Sequence, residues 1–201
     1  MIAIIDYDAG NIKSVEKALQ SLGADCRLTR DSAEIITADK VILPGVGAFG
    51  DAMARLNEYG LTDVIHRVVD KGTPFLGICL GLQVMFDRSE ESPGVKGLSL
   101  LPGEVVRFSG SEGLKVPQIG WNSLSVRSGS RLLKGVYSGS YVYFVHSYYV
   151  RAEDKDAVIA TASYGETADV AVECGNIFGC QFHPEKSSSI GIKILNNFIN
   201  L

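Results

Sequence analysis

Pro74-Phe75-Leu76-Gly77-Ile78-Cys79-Leu80-Gly81-Leu82-Gln83 begins as a continuous apolar run and continues as an amphipathic segment through Val84, Met85 and Phe86. The first half suits a strand buried on both faces and the second a helix, so Cys79 stands where strand turns into helix. Backbone dipoles at a helix N-terminus favour an anion, which lets a thiol there ionise below its ordinary range. The flanking Gly77 and Gly81 allow the tight turn that such a junction needs. The pattern is the cysteine counterpart of the G-x-S-x-G nucleophile elbow. A buried, inert cysteine beside a helix carries the same local signature, so the rest of the chain must supply the discrimination.

Upstream, strands alternate with helices. Ile2 to Ile5 reads as a buried strand, Asp6 to Gly10 as a turn, and Asn11 as the N-cap of a helix through Ile12, Val15, Ala18, Leu19 and Leu22, ended by Gly23. Cys26 to Thr29 and Lys40 to Leu43 read as further strands, the latter running into Pro44-Gly45-Val46-Gly47. Helical patterning runs from about Asp51, pauses at Gly60 and ends at Gly72. Such alternation predicts an α/β fold, a doubly wound sheet that is parallel over the first half. Ligands of such sheets bind beyond the carboxyl ends of the strands, where both Pro44–Gly47 and Cys79 lie. Downstream, Glu104–Phe108, Asn122–Val126, Tyr141–Val150, Ala157–Tyr164, Val170–Cys174 and Ile177–Phe182 read as strands separated by glycine-containing turns, with a hairpin loop at Cys174-Gly175-Asn176. They predict an antiparallel or mixed extension of the same sheet. A last amphipathic helix covers Ile190, Ile194, Leu195, Phe198 and Ile199.

The 201 residues fit a single domain over 1–201. A net charge of −4 argues against nucleic acid as the principal partner. No run reaches the roughly 20 apolar residues of a membrane span, and Met1–Asp6 lacks the basic region of a signal peptide. Cys26, Cys79, Cys174 and Cys180 have neither paired CxxC spacing nor scaffold density, which suits free thiols in a reducing cytoplasm and no metal.

Phe182-His183-Pro184-Glu185 follows a late strand. In extended backbone, residues two apart point the same way, so the His183 and Glu185 side chains can converge. A thiol nucleophile needs a base, and that imidazole needs a carboxylate to hold its tautomer. Cys79, His183 and Glu185 would supply all three; a surface His-x-Glu without a partner is the alternative. The glycines of Pro44–Gly47 let backbone N–H groups turn inward, as an oxyanion hole requires, and the Leu80 amide is a natural second donor.

Together, Pro44–Gly47, Gly77–Gln83 and His183-Pro184-Glu185 resemble the motifs of class I glutamine amidotransferases. More narrowly, Asp6-Tyr-Asp-Ala-Gly-Asn11, Pro44-Gly-Val-Gly-Ala-Phe-Gly50, Gly120-Trp-Asn122, Tyr143-Phe-Val-His-Ser-Tyr148 and His183-Pro-Glu-Lys-Ser187 resemble the glutaminase subunits of imidazole glycerol phosphate synthases, over essentially the whole chain. Asp8 stands where that family often has glycine, and Leu82 where it often has methionine; neither change undermines the chemistry.

The resemblance implies that Cys79 attacks the side-chain amide of L-glutamine, with His183 moving the proton and Glu185 orienting His183. It implies an oxyanion hole from Leu80 and a peptide amide around Val46–Gly47. Gln83, Glu91, Ser147 and Tyr148 would grip glutamine, with Glu91 suited to the α-ammonium. It further implies a (β/α)8-barrel cyclase partner that receives the ammonia in a heterodimer, with Trp121, Asn122, Tyr143 and Lys186 near the contact, and no cofactor. Three other readings stay open: a glutaminase serving another synthase, a cysteine hydrolase or peptidase on a related fold, and a non-catalytic module with a vestigial site.

Overall fold

The computed structural model describes residues 1–110 and 113–201. In chain order the first half comprises β1 (Ile2–Ile5), α1 (Ile12–Ser21), β2 (Cys26–Thr29), α2 (Ser32–Thr37), β3 (Lys40–Gly45), α3 (Phe49–Glu58), α4 (Leu61–Asp70), β4 (Phe75–Cys79) and α5 (Leu80–Gln83). The second half comprises β5 (Arg88–Ser89), β6 (Gly103–Arg107), β7 (Gln118–Ser123), β8 (Ser125–Val126), β9 (Tyr141–His146), β10 (Tyr148–Ala152), β11 (Val158–Tyr164), β12 (Glu166–Cys174), β13 (Ile177–Cys180) and α6 (Ser188–Ile199).

Strands β2-β1-β3-β4-β13 lie side by side and parallel, and β12, β10 and β6 continue the sheet antiparallel from β13. The parallel strands are apolar on both faces because helices cover both. Ile2 and Ile4 pack on one side with Val15 and Leu19 of α1 and Ile194, Leu195 and Phe198 of α6. Ala3 and Ile5 face the other side with Ile35, Phe49, Leu56, Ile65 and Val68 from α2, α3 and α4. This two-sided packing is why the strands read as continuous runs and not as alternations. The β12–β13 hairpin turns at Gly175–Asn176, as its glycine signal predicts.

Three expectations need correction, and one helix was not expected. Asn11 does not cap α1 with its side chain; its backbone is left-handed (φ 65°) and its amide is engaged elsewhere. Tyr141–Val150 is not one strand: it breaks at Ser147, and β9 pairs with β7 in a separate two-stranded ribbon while β10 enters the main sheet. The expected strand Asn122–Val126 is likewise two, β7 starting earlier at Gln118 and β8 pairing with β11. The extension is therefore a sheet plus a ribbon. Helix α2, capped by the Asp31 carboxylate on the Glu34 amide at 2.9 Å, has no counterpart in the periodicity because it is only six residues long.

Candidate active site

At the end of β4 the chain turns straight into α5, and Cys79 sits in the turn with φ 56° and ψ −110°. A non-glycine residue held there costs about 1–3 kcal/mol, so its surroundings must enforce it. They do so by close backbone packing. A Cβ on Gly81 would fall 1.8 Å from the Leu43 carbonyl oxygen, and one on Gly77 2.4 Å from Met85 Sδ. Only glycine at both positions lets α5 sit against the ends of β3 and β4.

Beside the Cys79 turn lies a cavity of about 270 Å³. Val46, Gly47, Cys79, Leu80, Gln83, Glu91, Ser147 and Tyr148 border it, together with Pro117, Val145 and His146. The expected nucleophile, oxyanion-hole and glutamine-gripping residues therefore share one space, although they come from the loop after β3, the end of β4, α5, the segment after β5 and the β9–β10 break. That break places Ser147 at the cavity while flanking residues join different sheets.

His183 and Glu185 approach from the opposite side, bordering a narrow crevice with Gly10, Asn11, Pro44 and Gly45. His183 is extended (φ −97°, ψ 98°), but Glu185 lies in a 3-10 turn, Pro184–Lys186. Their convergence thus comes from a turn and not from a continued strand. His183 Nδ1 lies 2.8 Å from Glu185 Oε1, and both side chains are buried. Nδ1–H donates to the carboxylate, which leaves Nε2 without a hydrogen-bond partner among the described residues. Burial favours the neutral ring, but the Cys79 sulfur and the Glu185 carboxylate outweigh it and push His183 up to about 9.

Three residues at the site carried no catalytic or binding role in the sequence reading. Asn11 Nδ2 donates to Glu185 Oε1 at 2.9 Å, and Ser14 Oγ donates to Asn11 Oδ1 at 2.7 Å. Gln181 is fully buried; its Nε2 lies 3.7 Å from Cys79 Sγ and its Oε1 accepts from Gln83 Nε2 at 3.0 Å. Gln83 Nε2 also donates to the Tyr148 carbonyl at 2.9 Å. Both Gln83 N–H groups are thereby occupied, and its Oε1 is the atom free to accept from a ligand. His146 is the third, with Nδ1 2.8 Å from the same Tyr148 carbonyl. Asn11 lies inside a quoted motif and Gln181 two residues before His183, which was the available signal.

Glu91 Oε2 accepts from the Phe49 amide at 2.8 Å, pinning the start of α3 to the cavity rim. Cys180 is also buried near the site, but burial, with Glu185 and Cys79 nearby, pushes its thiol well up. It is the inert type of cysteine.

The four residues expected at a partner contact fall on a different surface. Trp121 (51% exposed) stacks edge-on against Tyr143 at 6.0 Å on the β7–β9 ribbon, near Ile119 (63% exposed) and Tyr141. Asn122 donates to the Ser163 carbonyl of β11 and accepts from the Ser123 amide, so its side chain ties the ribbon to β11. Lys186 is exposed at the turn that carries Glu185.

Residues 3–201 match the family described as glutamine amidotransferase class-I. The chain is 50% identical over 203 residues to the imidazole glycerol phosphate synthase subunit HisH of Syntrophotalea carbinolica, with 98% of each chain covered. It is 52% identical over 205 residues to the subunit of the same name from Geobacillus kaustophilus, covering 100% of this chain and 97% of that one. A solved glutamine amidotransferase superposes with a TM-score of 0.78 at 21% identity, covering 100% of this chain and 98% of its own. PurLQS from Thermotoga maritima does so with a TM-score of 0.77 at 19% identity over 99% and 97%; these two likenesses speak to fold alone. Matching motifs, a matching mixed sheet and near-complete coverage lead to one conclusion: the chain belongs to the class I glutamine amidotransferase family.

Proposed function

We propose that this chain is the glutaminase subunit of an imidazole glycerol phosphate synthase, acting as one domain over residues 1–201. The observation that carries the chemistry is Cys79 in a strained strand-to-helix turn, opening onto a cavity on one side and backed by the His183–Glu185 pair on the other. Full-length identity of about half to subunits of that name supports the pathway reading.

In this reading His183, with its raised proton affinity, holds the proton that Cys79 gives up, so the thiolate attacks the side-chain carbonyl of L-glutamine. The oxyanion that forms is held by the Leu80 amide and a peptide N–H of the Val46–Gly47 segment. His183 then protonates the departing nitrogen, the carbon–nitrogen bond breaks, and ammonia leaves a γ-glutamyl thioester on Cys79. Water, deprotonated by His183, cleaves the thioester to glutamate. Glu185 keeps the imidazole oriented throughout. Gln83 Oε1, Glu91, Ser147 and Tyr148 grip the amino-acid end, Glu91 taking the α-ammonium.

Ammonia released into water is protonated and lost, so the product is handed to a partner. We take that partner to be a (β/α)8-barrel cyclase in a cytoplasmic heterodimer, a lyase assembly of histidine biosynthesis that makes imidazole glycerol phosphate and AICAR. The exposed Ile119, Trp121 and Tyr141, with half-buried Tyr143 beside them and with Lys186, suit a docking face. The test is glutamate release from glutamine by the chain alone and with the cyclase and its phosphoribosyl ligand. Weak release alone and strong stimulation in the complex support the reading; rapid cleavage of peptides without a partner would replace it with a hydrolase.

A further inference from the structure

His146 is 6% exposed and borders the cavity that holds Cys79. Its Nδ1 lies 2.8 Å from the Tyr148 carbonyl oxygen, which can only accept, so the proton sits on Nδ1 and Nε2 carries a lone pair. Nε2 is buried and has no hydrogen-bond partner among the described residues. A buried acceptor left empty is costly and demands an explanation. The rings of Phe108 and Phe144 pack against the imidazole with centroids 5.2 and 5.4 Å away, so neither supplies a polar partner. Burial holds the ring's pKa down near 4, and the nearby His183 works in the same direction, so His146 stays neutral.

We propose that His146 is the acceptor for the scissile amide: Nε2 takes a hydrogen bond from one N–H of the glutamine –NH2 and keeps it as the nitrogen departs. The assignment rests on the glutaminase reading above. It divides the work between two imidazoles. His183 gives a proton to the nitrogen lone pair as the carbon–nitrogen bond breaks; His146 takes no proton and only orients the nitrogen so that its lone pair meets His183. Nε2 carries no proton, so it has none to give to the departing NH3. The α-ammonium is the other donor glutamine brings, but a full cation is better served by the Glu91 carboxylate on the same cavity.

Two variants in the complex with the cyclase separate this role from a structural one. In His146→Asn the amide nitrogen can replace Nδ1 on the Tyr148 carbonyl while the Nε2 acceptor is lost. In His146→Gln the carbonyl oxygen can reach the place of Nε2. Each is assayed on L-glutamine and on the γ-methyl ester of L-glutamate, whose leaving group has no N–H. The expected result is a fall in kcat/KM on glutamine of about 10- to 100-fold for His146→Asn, with the ester changed by less than about threefold, and partial recovery on glutamine in His146→Gln. An equal fall on both substrates, or an unchanged rate on glutamine, overturns the proposal. Failure of the parent complex to hydrolyse either substrate would instead remove the glutaminase reading on which it stands.

Discussion

Asn11 sits in left-handed backbone (φ 65°) and sends its amide to the carboxylate that holds His183. A residue 174 positions away in the chain thereby fixes one oxygen of the Cys–His–Glu arrangement. Asn11→Gly keeps the backbone conformation and removes the donor to Glu185 together with the acceptor for Ser14 Oγ. It should lower glutamine turnover in the complex by about tenfold while leaving thermal stability within a few degrees, as read by steady-state kinetics beside a melting curve. A large loss of stability with unchanged turnover per folded molecule would make Asn11 merely structural. Tyr7 offers the opposite case. Its hydroxyl is buried, lacks a partner among the described residues and is held in its neutral form, first by burial and then by Cys79 nearby. Tyr7→Phe removes an unsatisfied group, so chemical denaturation should find the variant as stable as the parent or more stable by about 1 kcal/mol.

The elements around Cys79 show why one turn was so informative and other segments were not. The glycines of Gly77–Gln83 are required by contacts with Leu43 and Met85, so their spacing is a direct imprint of packing. Gly81→Ala would drive a methyl into the Leu43 carbonyl and should cost about 3 kcal/mol or more, visible as a fall in the urea midpoint. A near-neutral result would mean that β3 and α5 are not held together as described. Buried strands and the helices of 10 to 12 residues were legible for the same reason: each buries a contiguous apolar face. The Tyr141–Val150 segment was not, because apolar content alone cannot say that β9 and β10 belong to different sheets. The decision rests with Ser147, where the pairing partner changes from β7 to β6 and β12. Asn11 was read only as a helix N-cap within a motif and Gln181 only as part of a strand, since a hydrogen bond between distant segments leaves no periodicity. The His183–Glu185 pairing was anticipated from extended geometry, yet it is made by a 3-10 turn.

For the molecule as a whole, two buried histidines give stability an opposing pH dependence. His183, pushed from 6.5 up to about 9, binds its proton more tightly folded than unfolded. Its contribution is complete below about pH 6.5 and is lost as pH rises through 9. His146, held down from 6.5 to about 4, contributes fully above about pH 6.5 and loses that contribution as pH falls through 4. Denaturation midpoints across this range should therefore peak near pH 6 to 7, and His183→Asn should flatten the alkaline limb. An alkaline limb that survives the substitution would place its origin elsewhere. The exposed ribbon is the other whole-molecule feature: Trp121→Ala should weaken binding to the cyclase by about tenfold or more in a titration, without altering the fold. The most direct measurement concerns Cys79 in the assembled complex, comparing imidazole glycerol phosphate formation from glutamine with formation from added ammonium salts. The account predicts that Cys79→Ala abolishes the first and spares the second; use of glutamine at the parental rate by that variant would contradict it.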